Sequence, residues 1–427
     1  MDNTRSTQVI ILTLVLVSLA AGATAQPVIT PRNFPLGGGG AAYLTGFESN
    51  FYNPANLMVK ERLTNFEVGV LQSTLYFDPV LSSSSLQGQF ENFIDIFSVL
   101  SPGEHDFTGD QRQDLVDRNY EDSKLLSEHQ NRADIILAGV SWHHKDITFS
   151  LAARMRTATR IKAGRGWYSS EFTDTGTERI RDLRLTQQSN TLYEISFGYA
   201  REFMPVSGLF PQLSKLYVGI APKFIIAGSY FEAHAFSQYR QTGGVQPELV
   251  QSFEYYSSGA LSSMTDQFLS IGDASGAIAS NLDRRFFTDP TGYGLGVDFG
   301  LTYVLTFGDE LSTFQDQNER EPINRSLRLS FSVTDIGFVR YNDEPLFIEN
   351  SRDTTSAAAI APSGSKFIGA YGQHLALLAS TPAGFNPYDN PDRVDRSEFS
   401  SLLPTSFNAG MLFEINRLKL MADLTLG

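Results

Sequence analysis

Tyr293-Gly294-Leu295-Gly296-Val297-Asp298-Phe299-Gly300-Leu301-Thr302-Tyr303 decides the fold. Every odd position is apolar or aromatic, and every even one is small or polar. A period of two sends successive side chains to opposite faces of an extended chain, so this stretch is a strand with one greasy face and one wet face. It is longer than the soluble average of about 5 to 6 residues. It suits the roughly 9 to 11 residues that a tilted strand needs to cross a bilayer.

The pattern recurs. Tyr193, Ile195, Phe197 and Tyr199 alternate with Glu194, Ser196, Gly198 and Ala200, and Leu327, Leu329, Phe331 and Val333 alternate with Arg328, Ser330, Ser332 and Thr334. Further strands are read over 65–77, 133–143, 147–155, 216–226, 407–415 and 418–426, about nine in all by this template. The wet faces carry Gly, Ser, Thr and single charges, which suits a polar lumen. Long connections are read over 78–132, 157–190, 232–292 and 339–404. Between them lie short ones at 144–146, 204–214 and Asn416, and a moderate one over 308–324. Tight turns at one end and long loops at the other are the layout of outer-membrane barrels. The expected fold is therefore all-β, a transmembrane antiparallel β-barrel. Such barrels close with an even number of strands, so the odd count leads to the expectation that the last strands are missing.

Composition narrows the function. Lys+Arg 33 against Asp+Glu 47 gives a net charge of −14, which argues against binding a phosphate backbone. With no Cys, disulfides, thiolate metal sites and Cys nucleophiles are excluded. Arg5, the apolar run 9–17 and Ala23-Thr24-Ala25 read as a cleaved secretory signal over 1–25. No later run approaches the ~18 residues of a spanning helix, so the exported chain is either soluble or a membrane β-barrel; the strand pattern favours the barrel, expected in the outer membrane against lipid.

Residues 26–62 are different. Leu36-Gly37-Gly38-Gly39-Gly40-Ala41-Ala42 and then Phe51-Tyr52-Asn53-Pro54-Ala55-Asn56-Leu57 are too rich in Gly for a strand and too apolar for a linker. Small residues let backbone pack on backbone, and Asn-Pro sets a turn. The segment is expected inside the barrel formed by 63–427. A small-residue stretch followed by Asn53-Pro54-Ala55-x-Leu57 just before the first long strand resembles the outer-membrane FadL-type superfamily of hydrophobic-compound transporters, most of all its uncharacterised relatives from Bacteroidota-type bacteria. The resemblance implies a barrel of fourteen strands plugged by an N-terminal hatch, with Asn53, Pro54, Ala55 and Leu57 in the plug. It also implies passive uptake of a hydrophobic small molecule, entering by the outer loops and released by a shift of the hatch. Secretion-shuttle barrels of the same superfamily share this layout. The alternative is thus a non-transporting barrel that anchors at the surface or serves secretion with a protein partner.

Chemical signatures are sparse. Arg154, Arg156, Arg160, Lys162 and Arg165 form the one basic concentration worth naming. They read either as a contact for lipopolysaccharide or another anion, or as interior and rim charges paired with nearby carboxylates. His143 and His144 are adjacent on a strand, point to opposite faces and do not share a metal. Asp389, Asp392 and Asp395 read as a solvated turn in preference to a Ca²⁺ loop. Thr108-Gly109-Asp110-Gln111 reads as a capping box opening a helix through about Leu126. No nucleophile elbow, zinc-protease motif or phosphate loop is present. No catalytic residue, metal or cofactor is nominated, and a non-enzymatic protein is expected.

Overall fold

In this computed structural model, which describes residues 30–36, 38–59, 65–77, 105–106, 116–117, 120, 125–167, 171–203, 214–243, 248–263, 289–306, 325–356, 366–367, 391–415 and 418–426, nine antiparallel strands pair in chain order. They are β1 (Phe66–Phe77), β2 (Leu126–His144), β3 (Ile147–Gly164), β4 (Leu185–Glu202), β5 (Ser214–Gln241), β6 (Gly292–Thr306), β7 (Arg325–Tyr341), β8 (Ser406–Ile415) and β9 (Leu418–Leu426). The architecture is all-β and antiparallel, and these strands fall where the alternation places them. Among the described residues β1 and β9 end the path without pairing to each other. No described helix is long and apolar enough to cross a membrane.

The long connections correct the sequence reading. Residues 157–164 and 185–190 continue β3 and β4, β5 runs on to Gln241, and 232–292 and 339–404 contain the strands Glu248–Ser258, Leu346–Ser356 and Phe399–Leu402. Glu248–Ser258 pairs with the far half of β5, and Leu346–Ser356 pairs with Glu248–Ser258 in turn. Some of these runs are polar on both faces, as in Thr186-Gln187-Gln188-Ser189-Asn190, and there backbone pairing holds the chain extended where a hydrophobicity template finds no period. Glu248–Ser258 does alternate, with Leu249, Phe253 and Tyr255 on its buried face. The expected helix from Thr108 and the signal over 1–25 lie largely or wholly outside the described residues; only one helical bond, Tyr120 N to Val116 O, is seen there.

Burial is inverted relative to a water-soluble sheet. The apolar face is open: Leu295 is 59% exposed, Phe331 45% and Leu424 57%. The polar face is closed: Arg154 is 1% exposed, Lys223 2% and Asp298 0%. A soluble fold arranges these the other way round.

The sheet is strongly curved about its polar face. Arg156 on β3 lies 2.8 Å from Asp335 on β7, four strand spacings away, or about 19 Å in a flat sheet. Residues 30–59 occupy the concave side, and every residue from 44 to 59 is buried. Their seat is a register row of small residues: Thr148, Ala200, Gly219, Gly300, Ser332, Asn408 and Thr425 are neighbours across β3 to β9. A Cβ on Gly219 would overlap the Pro54 carbonyl and Ala55 amide, and one on Gly300 would strike the Asn53 side chain. The segment also reaches both ends of the sheet, with Phe47 on Gly69 of β1 and Ala41 bonded to Asp423 of β9.

Gly219→Val and Gly300→Val are each expected to lower thermal stability by at least about 1–3 kcal/mol, because the obstacle is backbone or a bonded amide. Gly176→Ala, where a Cβ meets nothing but φ is positive, should cost about 1 kcal/mol or less. Thermal unfolding of the three variants checks the order.

Candidate functional site

The N-terminal segment is built on two asparagines. Two 3-10 turns, Gly46–Phe51 and Pro54–Met58, flank Asn53, whose side chain accepts from Ala55 N at 3.1 Å as an N-cap. Pro54 follows at the first helical position, where its missing N–H costs nothing. Asn53 Nδ2 donates to Ala41 O at 2.8 Å, and Asn56 Nδ2 donates to Ala41 O at 2.8 Å and Leu44 O at 2.9 Å. A segment without a strand ladder needs such partners for its buried carbonyls. The sheet supplies the others: Thr302 Oγ1 donates to Asn56 Oδ1 at 2.6 Å, Ser332 Oγ to Tyr52 O at 2.6 Å and Arg328 Nη1 to Ala42 O at 3.0 Å. Asn53, Pro54 and Ala55 thus meet the sheet directly, and Leu57 packs with Met58, Ala200, Tyr217 and Val304.

Beyond this seat, about 13 Å along β5 from Gly219 to Lys223, lies a buried ion layer. Arg154 Nη2 is 2.7 Å from Glu194 Oε2, Arg156 Nε 2.6 Å from Glu194 Oε1, and Arg156 Nη1 2.8 Å from Asp335 Oδ2. Lys223 Nζ sits 2.5 Å from Asp335 Oδ1 and 2.9 Å from Asp298 Oδ1. Asp134 adds contacts at 3.7 Å to Arg154 and to Arg132. Arg132, Arg154, Arg156 and Lys223 therefore face Asp134, Glu194, Asp298 and Asp335, and the charges balance. The Arg154 guanidinium also covers the Phe51 ring at 4.4 Å, a cation–π contact that ties the layer to the N-terminal segment.

Asp335 reaches this layer through a bulge. The register of β6 and β7 slips between Val297 and Phe299, and Asp335 has φ +59. The extra residue turns two consecutive side chains, Thr334 and Asp335, to the buried face, and the exposed positions shift from 329 and 331 to 336 and 338. Bulges commonly re-aim a side chain in this way. Glu194, Lys223, Asp298 and Asp335 were not singled out from sequence. The break in alternation at Thr334-Asp335-Ile336 is the signal that marks the last of them.

The basic cluster divides. Arg154 and Arg156 are buried against carboxylates, the arrangement expected of interior ion pairs. Arg160 and Lys162 are half-buried further along the same strand, and Arg165 lies 3.8 Å from Glu171. Among the described residues no group of His, Cys, Asp and Glu is arranged to hold a metal. His143 Nδ1 is 2.6 Å from Thr148 Oγ1, whereas His144 sits by the Trp142 ring. Asp389 lies outside the described residues, Asp392 accepts from Ser351, and Asp395 accepts from Arg393 and Ser397.

Two further features lie to either end, one beside the seat and one past the ion layer. A cavity of about 440 Å³ lies where the N-terminal segment meets β1 to β3, bordered by Arg32, Glu48, Glu67, Gln72, His143 and Thr148. Past the layer, toward the long connections, Tyr230 meets Tyr341 at 4.5 Å and Phe399 at 5.6 Å in tilted ring contacts, and Tyr256 meets Phe347 at 4.5 Å.

A family model described as "Family of unknown function (DUF5723)" matches residues 70–426. No curated protein and no solved structure matches the chain.

Asp335→Asn keeps a side chain that tolerates φ +59 but leaves Arg156 and Lys223 each short of a charge partner. The expected loss is about 3–5 kcal/mol. Glu414→Gln, which breaks a pair with the half-exposed Lys419 at 3.4 Å, should cost about 1 kcal/mol or less. Equilibrium unfolding of both variants tests the contrast.

Proposed function

We propose that this chain, which belongs to the DUF5723 family, is an outer-membrane β-barrel protein whose N-terminal segment is a hatch, and that it is a passive channel for hydrophobic small molecules, here in a closed form. The inverted burial carries this reading. Side chains such as Leu295, Phe299, Phe331 and Leu424 stand on the open face of the sheet, where water penalises them and hydrocarbon does not. Lipid offers no hydrogen-bond partners, and Arg154, Arg156, Lys223, Glu194, Asp298 and Asp335 all turn inward. The eleven alternating residues of β6 and the nine of β9 suit a tilted crossing.

The transport half rests on the hatch and what lies behind it. Residues 44–59 fill the concave side through hydrogen bonds and close contact with small residues. Removing them exposes a row of Gly, Ala, Ser and Thr, the lining of a bore. The aromatic cluster around Tyr230, Tyr341 and Phe399 lies past the ion layer, where a hydrophobic compound arriving by the outer loops would first meet apolar side chains. The second reading, a non-transporting barrel acting as surface anchor or secretion component with a protein partner, is favoured by the Arg156–Asp335 pair. That pair crosses the interior and shuts it independently of the hatch.

Membranes expressing the full chain decide both levels. The protein is expected to stay with the membrane through high-salt and carbonate washes and to need detergent for extraction. A chain that dissolves freely without detergent would remove the barrel itself. Proteoliposomes are then expected to take up a radiolabelled alkane or naphthalene faster than empty ones, with Asn53→Ala faster still. No uptake, together with a stoichiometric protein partner on purification, would select the second reading.

A further inference from the structure

Glu48 is the acidic residue of the turn Gly46–Phe51, and its carboxyl is buried where the N-terminal segment meets β1, at the margin of the 440 Å³ cavity. From its own segment it faces Arg32 Nη1 at 3.8 Å and Thr30 Oγ1 at 3.5 Å. From β1 it faces Glu67 and Gln72. From β2 and β3 the cavity is bordered by His143 and Thr148. The Glu67 carboxylate lies directly against Gly46, so close that a Cβ there would strike it, and Gly46 has φ +67. That left-handed turn, free to Gly alone without strain, lets the exposed Glu67 carboxylate rest on the start of the turn that carries Glu48, near enough for its charge to be felt there. The Arg32 guanidinium beside Glu48 is itself partly exposed.

We infer that Glu48 and Glu67 form a proton-operated latch between the N-terminal segment and β1: with a proton on Glu48 the segment is fastened to the strand, and with both carboxyls ionised their repulsion loosens it toward the cavity. The latch is a property of this contact, and its consequence for opening rests on the hatch reading above. Burial pushes the Glu48 carboxyl up to about 7; Arg32 opposes the rise and Glu67 adds to it. The sign follows. The docked segment holds the proton more tightly than a free carboxyl near 4.5. Docking is therefore strongest below 4.5, weakens as pH rises from there to about 7, and is level above that. The separation of the two values allows a change in the docked-to-loosened ratio of up to roughly two orders of magnitude.

The chain has no Cys, so Phe34→Cys, at a half-exposed position of the segment, takes a single spin label. Electron paramagnetic resonance of the full chain in detergent micelles, from pH 4 to 9, reads its mobility. The mobile component is expected to grow between 4.5 and about 7 and then stay constant. With Glu48→Gln added it stays immobile throughout, and with Glu67→Gln added the window closes from its upper end. A wild-type spectrum that does not change with pH, or a Glu48→Gln spectrum that keeps the wild-type transition, overturns the latch. If Glu48→Gln does not fold, an unchanged window in Glu67→Gln overturns it alone. Failure of uptake in proteoliposomes leaves this readout intact, because it records docking and not transport.

Discussion

A sheet whose polar face is its inside has to find a partner for every donor and acceptor on that face, because an unpaired buried polar group costs about 1–3 kcal/mol. Water fills that role in a soluble fold. Here it is filled by residues 30–59 and by the balanced set of charges above them. Asn53 and Asn56 satisfy Ala41 O and Leu44 O, Thr302, Ser332 and Arg328 reach the segment from the sheet, and Asp423 takes the Ala41 amide. The small residues of the seat follow from the same need. A hydrogen bond between a wall side chain and a segment backbone requires the two surfaces to come close, and Gly219 and Gly300 permit that approach.

The ion layer obeys a stricter version of the rule. Burying a charge is tolerated only when it is paired and bonded, and each of Arg154, Arg156 and Lys223 touches at least two carboxylates. Such a layer adds little stability over well-packed apolar side chains. Its effect is geometric. Arg156 and Asp335 belong to strands that a flat sheet would hold far apart, so their pairing fixes the curvature that lets the N-terminal segment sit between them. The bulge at Asp335 delivers the carboxylate at the required height, at the cost of one residue with positive φ.

Strands with clean alternation were legible from sequence because the side-chain period is a property of the residues themselves. The exposed face of β6 and the exposed Leu and Phe of β7 lie where that reasoning puts them. What was not legible depends on register. The row Thr148-Ala200-Gly219-Gly300-Ser332-Asn408-Thr425 unites residues far apart in the chain, and each is unremarkable alone. The strand extensions beyond Asn190 and Glu232 carry Gln, Ser and Thr on both faces and so show no period. Arg154 and Arg156 were visible as charges, but their carboxylates come from β2, β4 and β7, a juxtaposition that only the folded sheet reveals.

Along β5 the layers stand in a fixed order: the seat at Gly219, the charges at Lys223, the aromatic cluster at Tyr230. Asn53 and Asn56 both bond to Ala41 O within the segment, and the same two side chains also meet Thr302 of β6. The amides that give the segment its shape therefore also dock it, so shape and seat are fixed together. Phe51 adds a contact to the layer above, because it lies under the Arg154 guanidinium. Withdrawal of the segment uncovers Arg154, and Arg154 is held by Glu194, which also holds Arg156. Phe51, Arg154 and Glu194 thus form a continuous line of contacts from the seat to Arg156 and Asp335. The seat and the ion layer are therefore one connected set of contacts, with the Phe51 ring as a link between them.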